Sequence, residues 1–481
     1  MTAKLQTPIL DGARHPHYFP GRLLSARDLR DEQEAQHRHH RHLGRAVGTG
    51  VVEGLWVEEA GEEDGRPALS IAAGLALDRE GTALELRHGV RLALTRASKT
   101  EAEGSVFSAC RKEDPDLLLV GAGFYLLTLS PVVGFAERAP ASGLAEDGAE
   151  LGCGSRYRVD GVQLDLVRLD PASLPGVDAV ATPLAQALAA AHTGTGSAAT
   201  AALSRVRNLM AHLIFGTPAR AAIAADPFAR QTPPQGGPPI STHLHANGLA
   251  SLYAEGKLLP CQVPLALLYW TSLGLRYVDP WAVRRRPEPV PVPDPAADPV
   301  EALWAFATPP ISRTLVEARF LHFQSHLDAL LAEVAASESL RASDYFHYLP
   351  PSGYVPVAAG SSPAVRAARF FAGVPYREDG AGRPEYLDAR KVPALLEAAA
   401  PLPPIRLAAA SAAVQNVSPP EMVWVYRMAV PTGSSPARAE GRYLFFGQAF
   451  LPPMNTARFD IARWDSSNHT NGSSTHQETN P

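Results

Sequence analysis

A strongly polar segment near the N-terminus constrains the fold more than any other part of this chain. From Ser25 the sequence continues without glycine or proline, and with few apolar side chains, until Gly44. Ser25 followed by Asp28 has the form of a capping box, which satisfies two backbone donors at a helix start. The pattern predicts a helix from Ala26 to about Leu43, with Gly44 as its C-cap. Because this helix lacks an apolar stripe, we expect it to be largely exposed and to contact another molecule.

Composition excludes some function classes for the chain as a whole. A length of 481 residues is enough for about two to four domains. The net charge of −5 and a pI near 6.4 argue against a nucleic-acid-binding protein. The longest apolar run, Val263 to Leu275, is interrupted by polar residues and a proline. It is shorter than the ~20 residues of a membrane span, so we expect no membrane insertion.

The cysteines and the N-terminus suggest a cytoplasmic protein. Cys110, Cys153 and Cys261 are odd in number, far apart and without a CxxC pair. We therefore expect reduced thiols in the cytosol, and neither a zinc site nor a redox motif. The first residues lack the apolar stretch of a secretory signal. The chain is expected in the cytoplasm, assembled into a particle that a cell could release.

Hydrophobic patterning predicts an α+β multidomain protein. Its parts are an N-terminal polar helix with a short-strand β domain, a helical middle segment with a β-hairpin, and a C-terminal mixed α/β domain. A proline-alternating stretch is expected to be an extended linker, and the polar C-terminal tail to be disordered. The predicted boundaries are residues 1–170, 171–286, 287–299 (the linker), 300–464 and 465–481.

Several segments carry specific expectations about secondary structure. Strands are predicted within 117–129 and 157–169, with a loop between them that contains Glu137, Arg138 and Cys153. Apolar residues from Val316 to Val334 repeat at spacings of four and three. This repeat fits either a core helix or a partner-facing coiled coil. Residues 261–283 and 423–450 are each expected to form a hairpin.

Charged clusters are the candidate binding groups. Four histidines, His37, His39, His40 and His42, are interleaved with arginines on the predicted helix. This part of the helix is either a solvated basic surface or a surface that binds an anion or a partner. A metal site is the third alternative, and the nearby positive charge disfavours it. His243 and His245 lack a third ligand nearby. No nucleophile elbow or P-loop is present in the sequence. We therefore expect no catalytic residue, cofactor or metal. The expected partner-binding residues are Arg38, His39, Arg41, His42, Arg45, Arg284, Arg285 and Arg286.

The charge order along the predicted helix supports a docking surface. Acidic residues occupy its first half and basic residues its second half, as the helix dipole favours. Dipole matching requires only one or two terminal bases, whereas the second half has seven. We therefore expect this half to meet an acidic surface of a neighbouring subunit, with binding weakened by salt. The short arginine run 284–286 is either a solvated or salt-bridged junction or an anionic-partner surface.

The opening segment resembles a known protein family. YFPGRLLSARDLRDEQ (Tyr18–Gln33) is similar to the opening signature of proteins associated with phage-tail-like contractile injection systems. GTGVVEGL (Gly48–Leu55) and GLALDREG (Gly74–Gly81) look like two further elements of that family. Weaker similarities lie at Tyr125–Ser130, Cys153–Asp160, Cys261–Trp270, Tyr277–Arg286 and Phe346–Pro356. The resemblance implies a tail or baseplate setting and no catalytic activity.

These observations lead to one expected function and two alternatives. We expect a non-enzymatic structural component of a contractile injection particle, at the baseplate or another tail end. Its partners would be other tail or baseplate subunits, with self-association also possible. One alternative is a fibre-attachment, receptor-binding or effector-loading adaptor of the same machine. A hydrolase or metal enzyme is the other.

Overall fold

The structure, a computed structural model, is described here for defined parts of the chain. These parts are residues 14–63, 66–96, 117–119, 121–140, 153–225, 247–289, 312–333, 340–356, 367–374, 376–378, 385–388, 392–400, 402–407, 423–430 and 439–448. Most of the predicted linker, the predicted tail, Cys110, Val334, His243 and His245 lie outside them.

Helices and strands are both abundant in the described residues, and they form separate sheets and helical layers, so the α+β multidomain class is confirmed. The helices are α1 (Ala26–Val47), α2 (Ala181–Thr193), α3 (Gly196–Ile214), α4 (Thr217–Ala225), α5 (Gly248–Ala254), α6 (Pro280–Val283), α7 (Arg313–Glu333), α8 (Ala342–Tyr345), α9 (Ala367–Phe370) and α10 (Val392–Ala399). The strands of the N-terminal half are β1 (Gly50–Gly54), β2 (Val57–Glu63), β3 (Arg66–Ile71), β4 (Gly74–Leu77), β5 (Ala83–Leu86), β6 (Val90–Arg96), β7 (Leu117–Leu119), β8 (Gly123–Pro140) and β9 (Cys153–Leu169). The later strands are β10 (Val263–Thr271), β11 (Gly274–Asp279), β12 (Tyr348–Leu349), β13 (Ser352–Pro356), β14 (Tyr376–Glu378), β15 (Glu385–Asp388), β16 (Ile405–Arg406), β17 (Val423–Val430) and β18 (Ala439–Gln448).

The chain forms two compact units that divide it differently from the sequence-based boundaries. Unit 1 draws on residues 1–169, 256–280 and 284–296, and unit 2 on residues 170–255, 281–283 and 297–481. The middle region is split because the predicted hairpin, β10 and β11, pairs with β8 of unit 1. The helices that precede this hairpin belong to unit 2.

Unit 1 contains three sheets around one apolar core. Their strand orders are β1-β4-β5, β2-β3-β6-β7 and β11-β10-β8-β9, and only the β6–β7 pair is parallel. Strand β10, which is apolar up to its last residue, Thr271, is buried along its whole length, as expected for a central strand covered on both faces. The core includes Leu55, Leu69, Ile71, Leu127, Leu129 and Leu265.

The predicted loop around Glu137 is wrong. Glu137 and Arg138 belong to β8 and Cys153 begins β9, so the two strands form one long antiparallel hairpin. Glu137 has a left-handed backbone with φ of 54°, which marks an irregularity inside the strand. Two ion pairs lie on this hairpin. Arg156 pairs with Glu137 at 3.2 Å, and Arg158 with Asp160 at 3.5 Å.

Unit 2 combines helices with a five-stranded mixed sheet. Strands β13, β18, β17 and β14 follow in that order, and β15 also pairs with β17; β14 and β15 run parallel to β17. The predicted hairpin of β17 and β18 is confirmed. On α7, Phe323, Leu327 and Leu330 are buried in the unit's core. The core-helix interpretation of the heptad-like repeat is therefore confirmed.

Candidate functional site

Helix α1 begins as the sequence predicts. The backbone N–H of Asp28 donates to Ser25 Oγ at 3.2 Å, and the backbone N–H of Ser25 donates to Asp28 Oδ2 at 2.9 Å. Arg22 forms an ion pair with the same carboxylate. The Ser25 hydrogen bonds, helped by Arg22, lower the pKa of Asp28. The helix start is therefore fixed by contacts within one short segment.

The prediction that Gly44 is the C-cap of α1 is wrong. The helix continues to Val47, and Gly48, with φ of 105°, is the cap; its N–H donates to Gly44 O at 2.9 Å. Gly44 is buried where α1 crosses the turn after β4. A Cβ atom at Gly44 would lie 2.2 Å from Gly81 O, closer than any real contact. Gly44 is therefore a close-approach glycine, not a helix terminator.

A segment before α1 lies along the helix. The ring of His15 stacks on His39 with centroids 5.5 Å apart, and its Nδ1 is 3.9 Å from Glu32. Nearby, Arg22 donates to the carbonyl of His17 at 2.5 Å. Among the described residues of α1, only Ala35 and Gly44 are buried. The prediction of a largely exposed helix is confirmed.

Exposed apolar side chains are concentrated in this region. Leu23 is 93% exposed, and on α1 Leu29, Leu43 and Val47 are each more than half exposed. The spacings of 14 and 4 residues place the three helical residues on one face. The prediction that this helix lacks exposed apolar side chains on one side is wrong, because the helix extends to Val47. Tyr18, Phe19, Leu23, Leu24, Leu29, Leu43, Val47, Val52 and Trp56 together form what we call the N-terminal apolar set.

The predicted basic residues of α1 occupy a different side of the helix. Arg38, His39, Arg41, His42 and Arg45 are all exposed. At 3.6 residues per turn, Arg38 and Arg45 lie roughly opposite the Leu29–Leu43–Val47 stripe. Helix α1 thus exposes Leu29, Leu43 and Val47 on one side, with Gln36 and His40 between Leu29 and Leu43, and arginines on the other side. We call these two sides the apolar face and the arginine face.

The arginines at 284–286 are not equivalent to each other. The guanidinium of Arg284 is buried, donates to the carbonyls of Leu55 at 2.9 Å and Gly54 at 2.6 Å, and lies 4.1 Å from the ring centroid of Trp56. Burial lowers its pKa to about 10, which leaves it protonated at neutral pH. Arg284 thus supports the β1–β2 connection, where Leu55 has a φ of 53°.

Arg285 and Arg286 differ from Arg284 in exposure. Arg285 is half-buried and accepts a hydrogen bond from Val51 N at its carbonyl, whereas Arg286 is exposed. A partner-binding role therefore remains a hypothesis for the exposed part of this run.

Unit 2 contains a buried polar cluster that sequence reasoning missed. Ser204 Oγ lies 2.8 Å from His326 Nε2 and 2.9 Å from the carbonyl of Tyr345. A hydroxyl has one proton, so with that proton donated to Tyr345, Ser204 accepts from the Nε2–H of His326. His212 Nδ1 lies 2.9 Å from Thr217 Oγ1. These residues lie on helical positions that alternate with apolar ones, and no motif distinguishes them.

We expect the free energy of unfolding of unit 2 to decrease in acid, because two of its histidines have lowered pKa values. Burial lowers the pKa of His212 well below its usual value, and burial, with Arg406 and Arg205 nearby, lowers that of His347 to about 4. Between pH 4 and 6.5 the unfolded chain therefore binds more protons, so stability falls as the pH drops below 6.5. From pH 7.5 to pH 5, we expect His347 alone to cost roughly 2 kcal/mol.

Urea unfolding at the two pH values measures this effect. His347→Gln should remove part of the fall, whereas the exposed control His192→Gln should retain all of it. Equal stability of the unmodified protein at pH 7.5 and pH 5 would contradict the assignment.

The described residues contain neither a cluster of metal ligands nor a membrane-spanning helix. Within those parts of the chain, no group of three or more His, Cys, Asp or Glu side chains is arranged to hold a metal ion. No helix in the same parts is long and apolar enough to span a membrane.

Comparisons with known proteins give weak similarities. No protein-family model matches the chain, and no curated protein matches it. The solved structures found include "Crystal structure of TssK", with 11% identity, 91% of this chain and 92% of that chain covered, and a TM-score of 0.20. They also include "The baseplate complex from the type VI secretion system", with 13% identity, coverages of 94% and 93%, and a TM-score of 0.17. Scores this low do not establish a shared fold.

Proposed function

We propose that this chain is a non-enzymatic structural component of a phage-tail-like contractile injection particle, located at the baseplate or another tail end. The resemblance of Tyr18–Gln33 and of the two following elements to proteins of such particles supports the setting. Its neighbours would be other tail or baseplate subunits.

The exposure of helix α1 carries this proposal. A helix of 22 residues of which only Ala35 and Gly44 are buried gains little from burial in its own unit. Its apolar face and the residues before it leave large hydrophobic side chains in solvent, which costs free energy in an isolated chain. Covering the N-terminal apolar set with a neighbouring subunit would recover that free energy. The same segment carries the family resemblance.

The arginine face defines the chemistry of the proposed neighbour. Arg38, Arg41 and Arg45 are exposed, and the second half of α1 contains no acidic residue. An acidic surface on the neighbouring subunit would complement this half of the helix. Because the groups are exposed, their contribution should weaken as salt increases.

Incorporation into particles tests the proposal. We expect Arg38→Gln/Arg41→Gln/Arg45→Gln to lower the amount of this protein in purified particles by about tenfold, equivalent to ~1.4 kcal/mol. The measurement is quantitative immunoblotting of particles against a sheath or tube subunit, at low and high salt.

A triple variant with the same charge change provides the control. Arg87→Gln/Arg168→Gln/Arg369→Gln removes three exposed arginines away from α1 and should leave incorporation unchanged. If the α1 variant is incorporated like this control at every salt concentration, the arginine face is not a docking surface. If the unmodified protein is absent from purified particles, the proposed function itself is wrong.

A further inference from the structure

The hairpin of β8 and β9 changes character halfway along its length. From Phe124 to Ser130, β8 is buried and pairs with β9 on one side and, as far as Leu129, with β10 on the other. From Pro131 to Phe135 every residue is exposed, and so is every residue of β9 from Ser155 to Gly161. The outer part of the hairpin, 131–140 with 153–161, is therefore a two-stranded arm in solvent.

The arm has properties that favour association. A two-stranded ribbon is marginally stable in water, and an open strand edge presents unpaired N–H and C=O groups to other strands. Strand β9 is the last strand of its sheet, with β8 as its only partner among the described strands. None of the described strands pairs with its outer edge.

The two faces of the arm differ in chemistry. Residues directly opposite each other share a face, so Val132 with Gly161, Gly134 with Val159, and Ala136 with Tyr157 form an entirely apolar face. Val132, Tyr157 and Val159 are between 42% and 47% exposed. On the other face, Arg158 lies opposite Phe135 and Asp160 opposite Val133, so charged and apolar side chains are mixed there. Arg158 and Asp160 are two residues apart on β9 and both about two-thirds exposed.

We propose that β9 pairs antiparallel with β9 of a second copy of this chain, about a two-fold axis at Val159. In this register, Arg158 of each copy lies opposite Asp160 of the other, and Tyr157 lies opposite Gly161. Opposite charges in directly facing positions stabilise antiparallel pairs, and like charges destabilise them. A two-fold axis requires a self-complementary surface, which the Arg-Val-Asp sequence provides.

Neighbouring registers lack this complementarity. Centring the pairing on Arg158 places the two Arg158 residues opposite each other, and centring it on Asp160 does the same for the aspartates. An axis between Arg158 and Val159 is excluded, because residues that face each other in an antiparallel pair share a face, whereas neighbouring residues lie on opposite faces. The charges therefore select the Val159 register and a second copy of this chain as the partner.

The pairing would convert two marginal ribbons into one four-stranded sheet. Three or more strands with an apolar face are needed for a stable sheet, and the two apolar faces would become continuous across the axis. This inference does not depend on the proposed particle role.

Charge exchange across the two-fold axis gives a direct test. The unmodified protein should be a dimer in light scattering after size-exclusion chromatography. Arg158→Asp and Asp160→Arg each place like charges opposite one another, so each should weaken dimerisation at least about 100-fold, because two facing pairs are lost. Mixing the two single variants restores opposite charges at both positions and should give a heterodimer. The intrachain Arg158–Asp160 pair is broken in both variants, so recovery on mixing cannot come from it.

Charge changes elsewhere serve as controls. Arg87→Glu and Glu85→Arg disrupt an exposed ion pair on the β5 side of unit 1, and both variants should dimerise like the unmodified protein. Circular dichroism checks that all variants fold. A monomeric or trimeric unmodified protein would overturn the proposal, and so would single variants that dimerise normally or fail to associate when mixed.

Discussion

Replacing Asn208 with leucine is expected to lower the free energy of unfolding of unit 2 by about 4 kcal/mol. Asn208 lies on α3 and is 2% exposed. Its Oδ1 accepts from the backbone N–H groups of His347 and Tyr348 at 2.8 and 2.9 Å, and its Nδ2 donates to the carbonyl of Tyr348 at 3.0 Å. One side chain thus satisfies three backbone groups beside β12.

The expected magnitude follows from the groups left behind. Leucine has the same number and branching of side-chain heavy atoms as asparagine, with larger methyl groups, so the change removes the polar partners without opening a cavity. Two backbone donors and one acceptor would then be buried without partners, at about 1–3 kcal/mol each, offset in part by structural relaxation.

Urea unfolding followed by circular dichroism, with exchange of the Tyr348 amide, measures this loss. Thr193→Ala is the matched control, because Thr193 also bonds a backbone carbonyl, that of Ala189, but at an exposed helix end. We expect this control to change stability by less than about 0.5 kcal/mol. A loss below ~1 kcal/mol for Asn208→Leu would show that these hydrogen bonds are replaced by others.

Local signals in the sequence predicted local structure well. The start of α1 depends on Ser25 and Asp28, which lie three residues apart, so the capping box could be recognised without knowledge of the fold. Strand β10 and the repeat on α7 were recognisable because their side chains are apolar at core positions. In each case, the residues that determine the element lie within it.

Features that depend on distant contacts could not be predicted in this way. In the sequence, Gly44 resembles a helix C-cap. In the structure, glycine is required there because the backbone of Gly81 approaches the helix at this position. Arg284 resembles a surface residue, but it binds carbonyls that lie about 230 residues earlier in the chain. On α7, His322 and His326 are as buried as the leucines beside them, yet a hydrophobic pattern ignores them.

The outer hairpin shows why composition misled the prediction. Glu137, Arg138 and Cys153 are predicted to lie in a loop, because the sequence between the two apolar runs is rich in glycine, alanine and isolated charged residues. They lie instead on an arm whose faces are both exposed, where charged residues are compatible with a strand. Solvent exposure also distinguishes the predicted partner-binding residues: those on α1 are exposed, whereas Arg284 is buried.

We expect Gly81→Ala to detach the second half of α1 from unit 1. Gly81 lies in the turn after β4, where α1 crosses it. Gly81 has a φ of 84°, and a Cβ atom there would lie 2.0 Å from Arg41 O and 2.7 Å from Arg45 N. Both contacts are with backbone, so no side-chain rotation can relieve them. Gly81→Ala should therefore cost about 3 kcal/mol or more, from the clash together with the left-handed backbone.

A methyl group on the helix side of the crossing, at Gly44, is expected to reverse the usual effect of a Gly→Ala change on stability. In an exposed helix interior, Gly→Ala stabilises by about 1 kcal/mol. Gly44→Ala should instead destabilise, because its Cβ atom would lie 2.2 Å from Gly81 O. Amide exchange of residues 41–47 should accelerate in both variants, and incorporation into particles should fall if α1 docks as proposed.

Comparison with a second glycine separates the clash from backbone strain. Gly61 also has a positive φ, 73°, but a Cβ atom there would have nothing within 4 Å, so Gly61→Ala should cost only ~1 kcal/mol. The double variant Gly44→Ala/Gly81→Ala should cost much less than the sum of the single variants, because either methyl group alone already separates the helix from the turn. Additive losses, or a Gly81→Ala variant no less stable than Gly61→Ala, would mean that this crossing does not hold the helix in place.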